Sequence, residues 1–196
     1  MRRQTVIVTG LIGSGKSAVC AQFAAQGIPV YNCDERTKAL YDRCPELVSR
    51  LEKALGKPLR GADGRLDRGA LSSAIFSCEA ARKQVEDIVY PQVLRDFKRW
   101  RARQKGSPFV AMESAIILSK PVFDGLASAV VLVTAPEELR LARVRERDGL
   151  PEAAVRARMA AQPEIPASAA TFIIENDGSP RKLENAVKRI IKTVQI

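Results

Sequence analysis

The segment Gly10-Leu11-Ile12-Gly13-Ser14-Gly15-Lys16-Ser17 has residue types and spacing suited to gripping phosphate groups. It fits G-x-x-x-x-G-K-[ST], follows the β-branched run Thr5–Thr9 and opens a helical stretch, the context the mechanism requires. Glycines let the backbone wrap closely enough for successive N–H groups to point inward at phosphate oxygens, and the helix N-terminus adds favourable charge. Lys16 can reach the β- and γ-phosphates, Ser17 can place its hydroxyl on Mg²⁺, and Ala18 can still donate its backbone N–H to the α-phosphate. Gly13, Ser14, Gly15, Lys16, Ser17 and Ala18 are therefore the predicted nucleotide-binding residues. GTPases, helicases and other ATPases share such a loop. This chain is short for a helicase and has no N-K-x-D guanine-reading segment.

Four further groups could complete a phosphoryl-transfer site. Asp34, just past a second short strand, could accept the proton of an attacking hydroxyl, or it could cap the helix beginning near Glu35. Glu113, after the strand-like Phe109–Met112, could hold Mg²⁺ through water, or it could be a solvated strand end. Arg140, Arg143 and Arg147 share one helix face and could close over phosphates, with Gly149 as a hinge, or they could form a solvated face paired with Glu137, Glu138 and Glu146. Asn176-Asp177-Gly178 reads as a turn that could also offer backbone groups to the adenine.

The elements that must position these groups alternate. Strands are predicted at Thr5–Thr9, Pro29–Tyr31, Phe109–Met112, Ala129–Val133 and Thr171–Ile174, separated by helices. A strand–helix–strand opening implies a parallel sheet with right-handed crossovers, in a doubly wound α/β fold. Residues 35–105 are mostly helical, with Asp67 capping a helix to about Ser77 and a long helix over Glu79–Gln104 interrupted or kinked near Pro91. This stretch reads as an insertion covering the sheet's carboxyl edge. Pro136 is expected at a first helical position, and Leu183, Val187, Ile190, Ile191 and Val194 form the stripe of the final helix.

Composition narrows the classes. The 196 residues carry a net charge of +10, which attracts polyanions, but only 5% aromatics, which argues against a base-stacking nucleic-acid surface. With no histidine, zinc–histidine sites and histidine bases are excluded. Cys20, Cys33, Cys44 and Cys78 form no C-x-x-C pair and read as reduced thiols. No apolar run reaches a membrane span of about 20 residues, and Met1–Gln4 lacks a signal-peptide core, so a cytoplasmic protein is expected, monomeric or a small homo-oligomer.

Over nearly its whole length the chain resembles the dephospho-coenzyme A kinase family of P-loop kinases. Thr9–Ser17 is similar to the family's T-G-G-I-G-S-G-K-S-T, and Val30–Asp34 (VYNCD) to V-I-D-A-D. Ala62–Leu71 (ADGRLDRGAL) resembles the diagnostic A-D-G-x-L-D-R-R-A-L. Tyr90-Pro91 falls where His-Pro is usual; Arg147-Asp148-Gly149, Ala160-Ala161-Gln162 and Ile174–Gly178 resemble R-D-G, A-A-Q and I-x-N-x-G.

The resemblance implies transfer of the γ-phosphate of ATP, with Mg²⁺, to the ribose 3′-hydroxyl of dephospho-coenzyme A. It implies a nucleotide-binding core (1–34, 106–139, 168–196), a helical CoA-binding insertion (35–105) and a lid (140–167). Asp34, Lys16 and Arg147 would be catalytic; Gly13–Ala18 with Asn176 and Gly178 would hold ATP; Asp34, Arg68 and Glu113 would serve the acceptor side. Asn32 departs from the family's first aspartate, Ala18 from its threonine, Ser114-Ala115-Ile116 from its proline-leucine-leucine, and Gln162–Pro166 from its arginines after A-A-Q, so Arg140 or Arg143 would have to compensate. The alternatives are another small-molecule P-loop kinase, acting on a nucleotide or sugar acid, or a nucleotide-sensing nucleic-acid binder.

Overall fold

The computed structural model describes residues 4–76, 78–162 and 165–194. The chain forms two compact units, Met1–Asn32 with Arg101–Ile196, and Cys33–Trp100.

The first unit is built on five parallel strands: β1 (Gln4–Thr9), β2 (Val30–Asn32), β3 (Phe109–Glu113), β4 (Ala129–Thr134) and β5 (Phe172–Glu175). Their order is β2-β3-β1-β4-β5. β1 and β3 are buried along nearly their whole length, which is why they read as continuous apolar runs rather than alternating ones. On one face Val6, Val8, Phe109, Ala111, Val131 and Val133 pack with Val19, Cys20 and Phe23 of helix α1 (Lys16–Ala25), and with Leu183, Val187 and Ile190 of the final helix (Pro180–Val194). Phe23 meets Phe109 edge-on, with ring centroids 5.9 Å apart. The predicted terminal stripe is borne out, with Ile191 and Val194 half-buried against the same core. Gly27, at φ +78°, follows the C-cap of α1 in the left-handed backbone that commonly ends a helix.

The second unit is helical: α2 (Cys33–Arg43), α3 (Pro45–Leu55), α4 (Arg68–Phe76) and most of α5 (Glu79–Arg103). Asp67 caps α4 as predicted, its Oδ1 accepting the N–H groups of Gly69 (2.8 Å) and Ala70 (3.0 Å). The end expected at Ser77 lies outside the described residues. A bidentate pair between Arg36 and Asp96, at 2.8–3.0 Å, ties α2 to α5.

Three expectations are corrected. First, α5 is continuous through Pro91, so the interruption expected there is absent. A proline costs an interior helix about 3 kcal/mol. Val85, Val89, Val93 and Phe97, all buried and four residues apart, flank it on one face and offset that cost. Second, Pro136 is the N-cap rather than the first helical residue of α6 (Glu137–Asp148): its ψ of 143° is extended. Third, Asp34 does not cap α2 from outside; the helix begins at Cys33 and Asp34 lies within its first turn, where the dipole favours an acid. The remaining helices are α7 (Glu152–Ala160) and α8 (Pro180–Val194).

Candidate active site

The loop between β1 and α1 is shaped by glycines that nothing larger could replace. Gly13 (φ +78°) and Gly15 (φ +92°) adopt left-handed backbone, and an ideal Cβ on Gly13 would come 2.5 Å from the Arg140 carbonyl. A Cβ on Gly15 would collide with the Asn176 amide nitrogen. Gly15 is the N-cap of α1, with no side-chain cap and no acid in the first turn. The first N–H groups of a helix lack intrahelical partners, so this end presents bare donors and positive dipole charge to an anion. The Lys16 ammonium lies over the same turn, donating to the carbonyls of Gly10 (2.9 Å) and Leu11 (3.2 Å). Ala18 N–H is engaged with Gly15 O at 3.0 Å.

Ser17 is exposed, and its hydroxyl donates to Glu113 Oε1 at 2.9 Å. Glu113 is only 9% exposed at the end of β3, and its Oε2 accepts from Asn32 Nδ2 at 3.1 Å. Cys20, one turn beyond Lys16 on α1, also hydrogen-bonds Glu113; burial and then that carboxylate push its thiol pKa up, so it stays protonated and donates. A hydroxyl that spends its proton on a carboxylate turns its lone pairs outward, and hard oxygen donors of this kind suit Mg²⁺. Among the described residues no group of three or more histidines, cysteines or acids could hold a metal.

The loop is also held from behind. Asn176, 6% exposed after β5, donates its side-chain Nδ2 to Ser14 O at 3.0 Å. Arg143, half-buried on α6, donates to Gly13 O (3.3 Å), Ser14 O (3.5 Å), Asn176 O (3.3 Å) and Asn176 Oδ1 (3.4 Å). Gln162 Oε1 accepts the Ile12 N–H at 2.6 Å, and Ile12 packs against the small α6–α7 core of Leu141, Val144 and Val155.

Of the predicted residues, Gly13, Gly15, Lys16, Ser17, Glu113 and Asn176 come together around one loop. Ser14 is fully buried and turns its side chain inward. Asn176 reaches the loop with its side chain, not as an open turn, whereas Gly178 (φ +100°) shapes the turn that follows. Arg147 is not brought to the loop: its side chain is 63% exposed and pairs with Asp148 at 2.7 Å. Arg143, from the same predicted face, takes that place, and Arg140 touches Gly13 through its backbone. Gln162 was legible only as part of the A-A-Q segment, and its target, the Ile12 amide, was not.

In the helical unit, Asp34 is exposed and Arg68, also exposed, lies 3.4 Å from Asp42. Two half-buried tyrosines neighbour these charges. Burial pushes Tyr41 up to about 12 against the opposing pull of Arg68. Burial first, then Glu86, Tyr41 and Asp34, raise Tyr90. Both phenols therefore remain neutral donors at any ordinary pH.

A glycine-shaped phosphate cradle at the carboxyl end of β1, in a five-stranded parallel sheet of this order, defines a P-loop kinase fold. The chain belongs to the dephospho-CoA kinase family, whose sequence pattern matches residues 4–182. Dephospho-CoA kinase of Porphyromonas gingivalis is 38% identical over 194 residues, covering 97% of this chain and 94% of that protein. The Thiobacillus denitrificans enzyme is 34% identical over 185 residues, covering 93% and 91%. A solved Thermus thermophilus structure superposes with a TM-score of 0.83 at 33% identity, covering 98% of both chains.

Proposed function

We propose that this chain phosphorylates the ribose 3′-hydroxyl of dephospho-coenzyme A with ATP and Mg²⁺, giving coenzyme A and ADP. The observation that carries the reading is the uncapped α1 N-terminus beside Lys16, with the Ser17–Glu113 pair next to it. Lys16 and the first amides of α1 neutralise the phosphate chain. Ser17, oriented by Glu113, would hold Mg²⁺, and the ion would supply charge neutralisation on the phosphate chain. Asp34 takes the proton of the acceptor hydroxyl as that oxygen bonds to the γ-phosphorus and the bond to the β–γ bridging oxygen breaks.

The helical unit, with Asp34, Arg68, Tyr41 and Tyr90, is the acceptor-binding part, and residues 140–167 are the lid. Arg147 serves the transferring phosphate once it exchanges Asp148 for it, while Arg143 secures the loop. The charge of +10 serves these polyanionic substrates rather than nucleic acid, and the compartment is the cytoplasm. No helix of the described residues is long and apolar enough to cross a membrane.

The test is a coupled ADP-release assay with a panel of acceptors and mass detection of the product. Turnover with dephospho-coenzyme A and a product heavier by one phosphate on its ribose are expected. Stimulation by nucleoside monophosphates or sugar acids, and not by dephospho-coenzyme A, would overturn the acceptor assignment.

A further inference from the structure

We infer that Asn32 is a positioning residue for the metal-bound nucleotide, acting on Ser17 through Glu113. The inference rests on the Mg²⁺-nucleotide reading above and adds a residue to it.

The placement begins in the sheet. Asn32 and Glu113 are register partners across β2 and β3, so their side chains leave the sheet on the same side. Both carboxylate oxygens of Glu113 are committed: Oε1 to the Ser17 hydroxyl at 2.9 Å and Oε2 to the Asn32 amide at 3.1 Å. The Cys20 thiol supplies a further hydrogen bond from α1. A carboxylate gripped at both ends cannot rotate, so the Ser17 hydroxyl has one fixed acceptor and its lone pairs have one fixed direction.

The amide is also the right group in charge. It gives Glu113 a donor without adding a second negative charge. An aspartate at position 32 would set two carboxylates against each other on neighbouring strands and release the grip. Asn32 thereby selects the metal-bound form of the nucleotide without touching nucleotide or ion.

The experiment is calorimetric titration of ADP in MgCl₂ and, separately, in EDTA, with the ratio of the two dissociation constants as the readout. In the wild type the expected result is tighter ADP binding in MgCl₂ than in EDTA. Asn32→Ala should cut that ratio by about tenfold, the scale of outer-shell substitutions at metal sites, while leaving the EDTA value nearly unchanged. In a Glu113→Gln background, Asn32→Ala should move the ratio by less than about twofold, because the two residues act in series. Asn32→Asp, of equal volume, should lose the ratio as Asn32→Ala does, and it carries the test if the alanine variant does not fold.

Three results overturn the inference: an unchanged ratio in both variants, equal weakening in MgCl₂ and EDTA, or additive effects of Asn32→Ala and Glu113→Gln. If wild-type protein binds no ADP in either buffer, the nucleotide site itself is refuted. If it binds ADP with Mg²⁺ enhancement that the variants leave untouched, only the role of Asn32 falls.

Discussion

Replacing Asn176 by alanine separates two roles the residue could have. In the structure its side chain supports the phosphate loop from behind: Nδ2 donates to Ser14 O at 3.0 Å, and Oδ1 accepts from Arg143 at 3.4 Å. Removing the amide leaves the Ser14 carbonyl with only the long 3.5 Å contact to Arg143. Losing one buried bond and underserving its carbonyl costs about 1–3 kcal/mol. The Arg143 bond is long and adds less than about 1 kcal/mol. The expected total is about 1–4 kcal/mol. For a chain of this length each kcal/mol lowers Tm by about 2–4 °C, so the melting point should fall by about 2–16 °C.

The loop should also lose order before the fold as a whole does, and each 1.4 kcal/mol spent on re-forming it weakens ligand binding about tenfold. Thermal unfolding without ligand, together with calorimetric ADP binding, measures both effects, and saturating ADP should restore part of the lost Tm. A variant that melts within about 1 °C of wild type yet binds ADP poorly would refute the reasoning, because Asn176 would then touch the nucleotide rather than the loop.

Lys16→Ala should abolish turnover and weaken ATP binding in the same calorimetric assay, since it removes the ammonium that lies over the first turn of α1. Asp34→Asn should lower kcat by roughly two to four powers of ten with ATP affinity nearly intact, the scale of general-base help; full activity would remove Asp34 from the mechanism. Arg147→Ala should cost about 10²–10³-fold in kcat without changing Tm, because the side chain is exposed, whereas Arg143→Ala should lower both. With a thiol reagent on the native protein, exposed Cys78 should react first and half-buried Cys44 more slowly. Buried Cys20 and Cys33 should react only on unfolding, Cys20 all the more so because burial and Glu113 keep its thiol protonated.

The parts legible in the sequence share a physical cause: their signal is local. β1 and β3 are buried on both faces and so read as unbroken apolar runs, and a glycine loop entering a helix states its own geometry. What pairs with what is not local. Nothing in the chain near Asn32 says that its register partner is Glu113, because β2 and β3 are separated by the whole helical unit. A strand's period of two tells which face a side chain takes, but not which strand lies beside it.

The same reasoning covers what local signals leave open. Pro91 breaks a helix on propensity, yet the stripe of Val85, Val89, Val93 and Phe97 is a tertiary quantity and outweighs it. Arg143 and Arg147 are equivalent on a helical wheel. Only the approach of Gly13 and Asn176 to one turn of α6 distinguishes them, leaving Arg143 against the loop and Arg147 beside Asp148. Glu113 was visible as an acid at a strand end. Its effect on Ser17 depends on an oxygen 2.9 Å away on a helix whose contact with β3 only the folded chain creates.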